Sequence, residues 1–321
     1  MTWAAGYTEG PVVTKERIGF IGLGHMGHGM AKNLIEKGWP LTVLGHRRRE
    51  PIEDLKARGA TEATTPKQLA QMSEVIILCV TGSAEVQETI QGSDGLAAAE
   101  RPLTIIDCST SDPSVTIKLA EDLSRSGSVL VDAPLGRTPA DAQAGTLDVM
   151  VGGDAPIVEK VRPILEAFAS RVVHTGPTGT GHTMKLLNNF LSMGYAALYA
   201  EALALGAKAG VEPRLFDAVI RGGRMDCGFY QTYFKWVLDR DPTAHKFSLR
   251  NALKDMTYLA SFAQSVGLAN PIGSSVRNSF ATAVGTGHGD EYVPRLSDIV
   301  AGLNGVSLDP ALKGPNGGGG T

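Results

Sequence analysis

The stretch Gly19-Phe20-Ile21-Gly22-Leu23-Gly24-His25-Met26-Gly27 constrains the fold more than any other part of the chain. An apolar run stops at a glycine, a Gly-x-Gly-x-x-Gly turn follows, and Met30-Ala31-Lys32-Asn33-Leu34-Ile35 continues with helical character. Strand, tight turn and helix in that order open a doubly wound α/β unit. In such a turn Gly22 permits the bend, Gly24 lets backbone approach a pyrophosphate, and Gly27 lets helix pack on strand, with the phosphate at the helix N-terminus. The predicted ligand is a nicotinamide or flavin dinucleotide, contacted by Gly22, Leu23, Gly24, His25, Met26 and Gly27.

The rest of the chain continues this rhythm to about residue 180. β-rich runs at Ile18 to Ile21, Leu41 to Leu44, Val75 to Val80, Leu103 to Asp107, Val129 to Asp132, Val149 to Val151 and Val172 to His174 alternate with helical patterns, which predicts a Rossmann-type doubly wound parallel sheet. After Gly179-Thr180-Gly181 the strands stop. A long helix is expected from about His182 to Ala209, and shorter ones over Pro213 to Arg221, Ser248 to Val266, Pro271 to Val284 and Pro294 to Leu303. The expected organisation is a loose segment 1–14, a dinucleotide-binding domain 15–179, an all-helical C-terminal domain 180–308 and a flexible Gly-rich tail 309–321.

Composition narrows the function classes. A net charge of -3 carries no basic bias, so nucleic acid is not an expected partner, and the substrate is expected to be small. No run of about 18 uninterrupted apolar residues is present, so no membrane association is expected. Residues 1 to 14 lack the basic start and apolar stretch of a signal peptide. Cys79, Cys108 and Cys227 are too few and scattered for a disulfide framework or zinc site, and read as reduced core thiols of a cytoplasmic protein.

Cofactor choice is read about 20 residues past the glycines, where an acid would bind the adenosine ribose of NAD. Here Leu41-Thr42-Val43-Leu44 runs instead into Gly45-His46-Arg47-Arg48-Arg49. A guanidinium can clamp a 2′-phosphate by paired hydrogen bonds, which favours NADP and leaves NAD as the second choice. Either Arg47 or Arg48 could make that contact; the alternative is a solvated basic turn.

Five ordered blocks resemble the β-hydroxyacid dehydrogenase family, which includes 3-hydroxyisobutyrate dehydrogenase, tartronate semialdehyde reductase and, more distantly, 6-phosphogluconate dehydrogenase. They are the glycine turn with Met30-Ala31-Lys32-Asn33-Leu34, Asp107-Cys108-Ser109-Thr110, Asp132-Ala133-Pro134 with Ala144-Gly145-Thr146-Leu147, Gly179 to Asn189, and Leu253-Lys254-Asp255. The resemblance covers about residues 16 to 305. It implies NAD(P)-dependent interconversion of a 3-hydroxy acid and its semialdehyde, a helical domain that dimerises, and no metal. A homodimer or homotetramer is therefore expected.

The resemblance also assigns roles. Lys185 falls at the family's acid-base position and Asn189 at its substrate-orienting amide; their i, i+4 spacing puts both on one helix face. Hydride transfer to a carbonyl needs one proton donor and one orienting group, and burial, the helix N-terminus and Lys254 would all lower the lysine pKa toward neutrality. Thr110 matches a position close to nicotinamide and substrate, although on its own it reads as a helix cap before Pro113. Lys254 lies in a block near the closing cleft, with a surface ion pair as the alternative. Val80 and Thr81 stand where many relatives have Leu-Pro at the adenine side, and are expected to contact cofactor there.

One departure bears on the substrate. Most of the family continues Asp-Ala-Pro with Val-Ser-Gly-Gly, whereas here Leu135-Gly136-Arg137-Thr138-Pro139 follows. This pattern looks like the branch containing 3-sulfolactaldehyde reductase, where an arginine in the loop holds a sulfonate. Gly136, Arg137 and Thr138 are thus the expected site for an anionic tail, sulfonate or carboxylate, with Arg224 as a weaker second cation. The expected activity is reduction of a short anionic semialdehyde and the reverse oxidation of its hydroxy acid. In order, the expected substrates are 3-sulfolactaldehyde or a related C3 or C4 semialdehyde such as succinic semialdehyde, tartronate semialdehyde and methylmalonate semialdehyde. An imine reductase and a non-catalytic dinucleotide-binding protein are the alternatives, and Lys185 counts against both.

Overall fold

A computed structural model describes residues 15–45 and 48–309. The chain divides into two compact units, one holding residues up to Ser109 with Val115–Gly181, the other Thr110–Ser114 with the residues from His182 onward. Segments 1–14 and 310–321, and with them the expected loose ends, lie outside the described residues, as does Arg47.

The first unit alternates strand and helix: β1 (Ile18–Ile21), α1 (Gly27–Glu36), β2 (Leu41–Leu44), α2 (Glu50–Ala57), β3 (Thr61–Ala63), α3 (Pro66–Met72), β4 (Val75–Leu78), α4 (Ser83–Gln91), β5 (Thr104–Asp107), α5 (Pro113–Ser124), β6 (Val129–Asp132), β7 (Leu135–Gly136), α6 (Pro139–Ala144), β8 (Leu147–Gly152), α7 (Ala155–Leu165) and β9 (Ala169–Gly176). Six strands run parallel in the order β3-β2-β1-β4-β5-β6. Alternate residues of these strands feed the apolar cores on opposite faces: Phe20, Ile77 and Ile106 on one, Ile21, Ile76, Leu78 and Ile105 on the other. A parallel sheet buried on both faces is why the strands read as continuous apolar runs.

The doubly wound parallel sheet is as expected, and beyond β6 it is extended by strands of mixed direction. β8 runs antiparallel to β6 and to the two-residue β7, and β9 returns parallel to β8. Strands as short as β3 and β7 leave no periodicity to read. The reversal follows Pro134, and α6 enters through a capping box in which Thr138 and Asp141 satisfy each other's backbone donors, with Pro139 at the helix start.

The second unit comprises α8 (Thr180–Lys208), α9 (Pro213–Ile220), α10 (Gly228–Asp239), α11 (Leu249–Ser265), α12 (Pro271–Ala283) and α13 (Leu296–Leu303). α10, Gly-Phe-Tyr-Gln-Thr-Tyr-Phe-Lys-Trp-Val-Leu-Asp, carries no helical signal in its composition, because its aromatic residues favour strands. Tertiary packing decides it: Tyr230, Tyr233, Phe234 and Val237 are buried in the core with Met193, Ala196 and Ala200 of α8. By length and a mean hydropathy of 1.3, α8 is the one described helix that could cross a membrane. Lys185, Asn188, Asn189 and Glu201 interrupt it, and its small residues pack this core.

The cysteines differ from their expected uniform role. Cys108 is buried and Cys79 half-buried, and burial beside Asp107 pushes the Cys79 thiol up to about 12 and the Cys108 thiol well above its usual value. Cys227 is exposed and caps α10, its sulfur accepting from Tyr230 N at 3.5 Å, so it is not a core thiol.

Candidate active site

The glycine turn lies at the C-terminal end of β1, where the sheet order reverses direction between β1 and β4, the usual place for a ligand crevice. Gly22 has φ 103°, and a Cβ there would sit 2.1 Å from the Cys79 carbonyl oxygen. A Cβ on Gly27 would sit 1.9 Å from the Gly22 oxygen. Both glycines are required by the protein itself. Gly24 differs, since a Cβ there meets nothing within 4 Å. The protein itself thus leaves open space at Gly24, room enough for a group brought up to the turn. Leu23 and Met26 pack against the core beneath the turn, while His25 is exposed.

Other expected cofactor residues fall at the same edge of the sheet. Val80, half-buried, donates its N–H to Ser109 Oγ at 3.0 Å, tying the end of β4 to the end of β5, and Thr81 beside it is exposed. Past β2, Arg49 is bound to Glu62 and Glu53, whereas Arg48 is exposed and makes no hydrogen bond or ion pair among the described residues. Of the described arginines in the basic turn, Arg48 alone is available for a phosphate.

The anion loop is more constrained than the sequence indicates. Arg137 adopts φ 73°, a conformation that a non-glycine side chain rarely takes. Its Nε lies 3.0 Å from Asp148 Oδ2 and its Nη1 4.0 Å from Asp141 Oδ1. Gly136 packs on Asp148, where a Cβ would come within 3.2 Å of the aspartate Cβ. The Thr138 hydroxyl is paired with Asp141 as the cap of α6. Arg137 and Thr138 are both exposed.

In the second unit Lys185, Asn189, Lys254 and Thr110 come together, joined by Asp255. Lys185 stands in the second turn of α8 rather than the first, because the helix begins at Thr180. It is partly buried and makes no hydrogen bond or ion pair among the described residues. Burial lowers its pKa, Asp255 opposes the shift, and Lys254 adds to it. Asn189, 7 % exposed, donates from Nδ2 to Asp255 Oδ2 at 2.7 Å. Lys254 Nζ lies 2.9 Å from Asp255 Oδ1, donates to the Thr110 carbonyl at 3.1 Å and rests 4.8 Å above the Tyr258 ring. Lys254 is thus no surface pair. Thr110 is not the cap of α5; that position is Asp112, whose Oδ1 accepts from Ser114 N at 2.9 Å.

Asp255, 1 % exposed, is the member of this cluster to which sequence reasoning gives no role. Its carboxylate holds the orienting amide and the second lysine at once. A buried acid costs several kcal/mol unless it is paired and hydrogen-bonded, so this constellation has a defined geometry. Arg224 is exposed and apart from the cluster's hydrogen bonds. No group of three or more His, Cys, Asp or Glu able to hold a metal occurs among the described residues.

Residues 17–176 match the family model described as the NAD binding domain of 6-phosphogluconate dehydrogenase. Residues 179–295 match the NAD-binding domain of NADP-dependent 3-hydroxyisobutyrate dehydrogenase. The chain is 32% identical to an NAD-dependent L-serine dehydrogenase of Pseudomonas aeruginosa, covering 89% of this chain and 99% of the relative. It is 33% identical to 3-sulfolactaldehyde reductase of Escherichia coli, covering 85% and 91%. A solved structure of Mycobacterium tuberculosis 3-hydroxyisobutyrate dehydrogenase with L-serine is similar at a TM-score of 0.78 and 25% identity, covering 90% of this chain and 99% of that one.

Proposed function

The chain belongs to the 3-hydroxyisobutyrate dehydrogenase family of NAD(P)-dependent β-hydroxyacid dehydrogenases, and from that premise we propose that it reduces a short anionic semialdehyde, preferring NADPH, with Lys185 as the proton donor. The observation that carries this reading is the unpaired, partly buried Lys185 beside the Asn189–Asp255–Lys254 cluster. The bound dinucleotide supplies the hydride. Lys185 gives its Nζ proton to the oxygen that was the aldehyde carbonyl, and in the reverse direction its neutral amine takes the hydroxyl proton. With one Nδ2 hydrogen fixed by Asp255, Asn189 keeps a defined face toward the substrate oxygen.

Arg137 recognises the anionic end. Asp148 takes its Nε edge and Asp141 stands 4.0 Å from Nη1, which leaves Nη2 as the edge turned to a carboxylate or sulfonate. The preferred substrate is 3-sulfolactaldehyde or a related semialdehyde. Arg48 contacts the 2′-phosphate. A cytoplasmic setting is part of this reading.

The working unit is a homodimer. Leu187, Leu191, Tyr195, Leu198 and Leu205 are exposed along α8 at steps of one or two helical turns, which keep them on one side of the helix as in a packed helix seam. An isologous contact with a second copy would cover this stripe. Initial rates of NADPH and NADH oxidation with sulfolactaldehyde, tartronate, methylmalonate and succinate semialdehydes test the substrate assignment. One anionic aldehyde should be turned over, and Arg137→Ala should raise its KM by about tenfold or more. Silence across the panel with turnover of a cyclic imine would favour imine reduction, and an Arg137 variant with unchanged KM would remove the arginine from the site.

A further inference from the structure

The basic turn after β2 ends in a closed ion-pair network whose centre is Glu62, contributed by the neighbouring strand β3. Arg49 donates to Glu62 through Nη1 at 2.6 Å and Nη2 at 3.1 Å, and its Nη2 also reaches Glu53 on α2. Lys56 donates to the same Glu62 at 3.1 Å. Glu62 Oε1 lies at the tip of β2: a Cβ on Gly45, the residue just past that strand, would come within 3.3 Å of it. The position that carries the ribose-binding acid in NAD-binding folds is thus empty of an acid on β2, yet a carboxylate from β3 stands beside it.

We infer that Glu62 is a specificity-determining residue for the cofactor, restraining NADP preference by withholding Arg49 from the 2′-phosphate. This rests on the dinucleotide reading above. Arg49 has a planar fork suited to a phosphate, but both its Nη groups already face carboxylates. Hydrogen bonds from Arg49 and Lys56, helped by their charge, hold the Glu62 carboxyl down at about 2, so the restraint is present at neutral pH. With Glu62 neutral, Arg49 would keep only its pair with Glu53 one helical turn away, an exposed contact that a dianionic phosphate outcompetes. The same change removes one negative charge from the neighbourhood of that phosphate.

The test is equilibrium binding of NADPH and NADH, each titrated by nicotinamide fluorescence into the wild-type protein, Glu62→Gln, Arg49→Ala and the double variant. Glu62→Gln should tighten NADPH about tenfold relative to NADH, Arg49→Ala alone should leave the ratio within about twofold, and the double variant should return to the wild-type ratio. The isosteric amide keeps the surface packing, and the NADH constant serves as the internal check on folding. An unchanged or lowered ratio in Glu62→Gln overturns the inference, as does a collapse of NADPH binding in Arg49→Ala, which would place Arg49 on the phosphate already. Binding of neither nucleotide by the wild type would overturn the dinucleotide reading itself, a different failure from equal ratios with both nucleotides bound.

Discussion

The glycine turn of the first unit and the buried cluster of the second reach function by opposite means. The turn is built on side chains that are missing: Gly22 and Gly27 because the protein leaves no room, Gly24 beside open space that the proposed dinucleotide would use. The cluster is built from side chains that are costly to bury: Asn189 and Lys254 held on Asp255 by a hydrogen bond and an ion pair, with Lys185 in the field of both charges. Substitution in the turn should therefore alter binding or folding, and substitution in the cluster should alter chemistry.

The sharpest attempt to break that contrast is Lys185→Ala. Turnover should fall by about a thousandfold, while dinucleotide affinity measured by fluorescence stays within about twofold of wild type; joint loss of both would make the lysine a binding residue. In the turn, Gly22→Ala should cost more than about 2 kcal/mol in a denaturant titration, because it adds a clash to a strained φ. Gly24→Val should melt like the wild type yet bind dinucleotide at least about tenfold more weakly, since it fills space that only a ligand uses. Equal stability of both variants would erase the distinction between the two glycines.

Asp255→Asn sharpens the comparison from the other side. The carboxylate raises the Lys185 pKa against burial, so its removal should lower that pKa further. Reduction needs the protonated lysine, and its alkaline limb should move to lower pH; oxidation needs the neutral amine, and its acid limb should move the same way. A pH-rate series reads both limbs, with a fall in kcat of about tenfold expected alongside. A limb moving upward would assign the charge coupling wrongly. The smallest expected effect is on assembly: Leu191→Glu with Leu198→Glu should leave the cluster intact while sedimentation shows a shift toward monomer, and a wild-type monomer would remove the proposed dimer.

How far each region is legible in the sequence follows from how local its physics is. The turn is written in nine consecutive residues, and the α6 cap in the adjacent Thr138-Pro139-Ala140-Asp141. Lys185 and Asn189 share a helix face by spacing alone. Asp255 is invisible at this level, since an acid beside a lysine reads as an exposed pair until α8 and α11 close over it. The Arg137 pairing with Asp148 and the Arg49 pairing with Glu62 depend on which strands neighbour one another, β7 with β8 and β2 with β3. Of these, the edge strands β3 and β7 are too short to carry a period of their own. α10 was open to misreading because its aromatics are strand formers that packing against α8 overrides.

The central claim is that Lys185, partly buried and without a partner among the described residues, transfers the proton. It is tested most directly by the pH dependence of the rate of semialdehyde reduction, in the wild type and in Lys185→Ala, with dinucleotide saturating. An alkaline limb well below the ordinary lysine value of about 10.4, absent from the variant's residual activity, is the predicted result. A limb at the ordinary value, or the same limb persisting without the lysine, would contradict it.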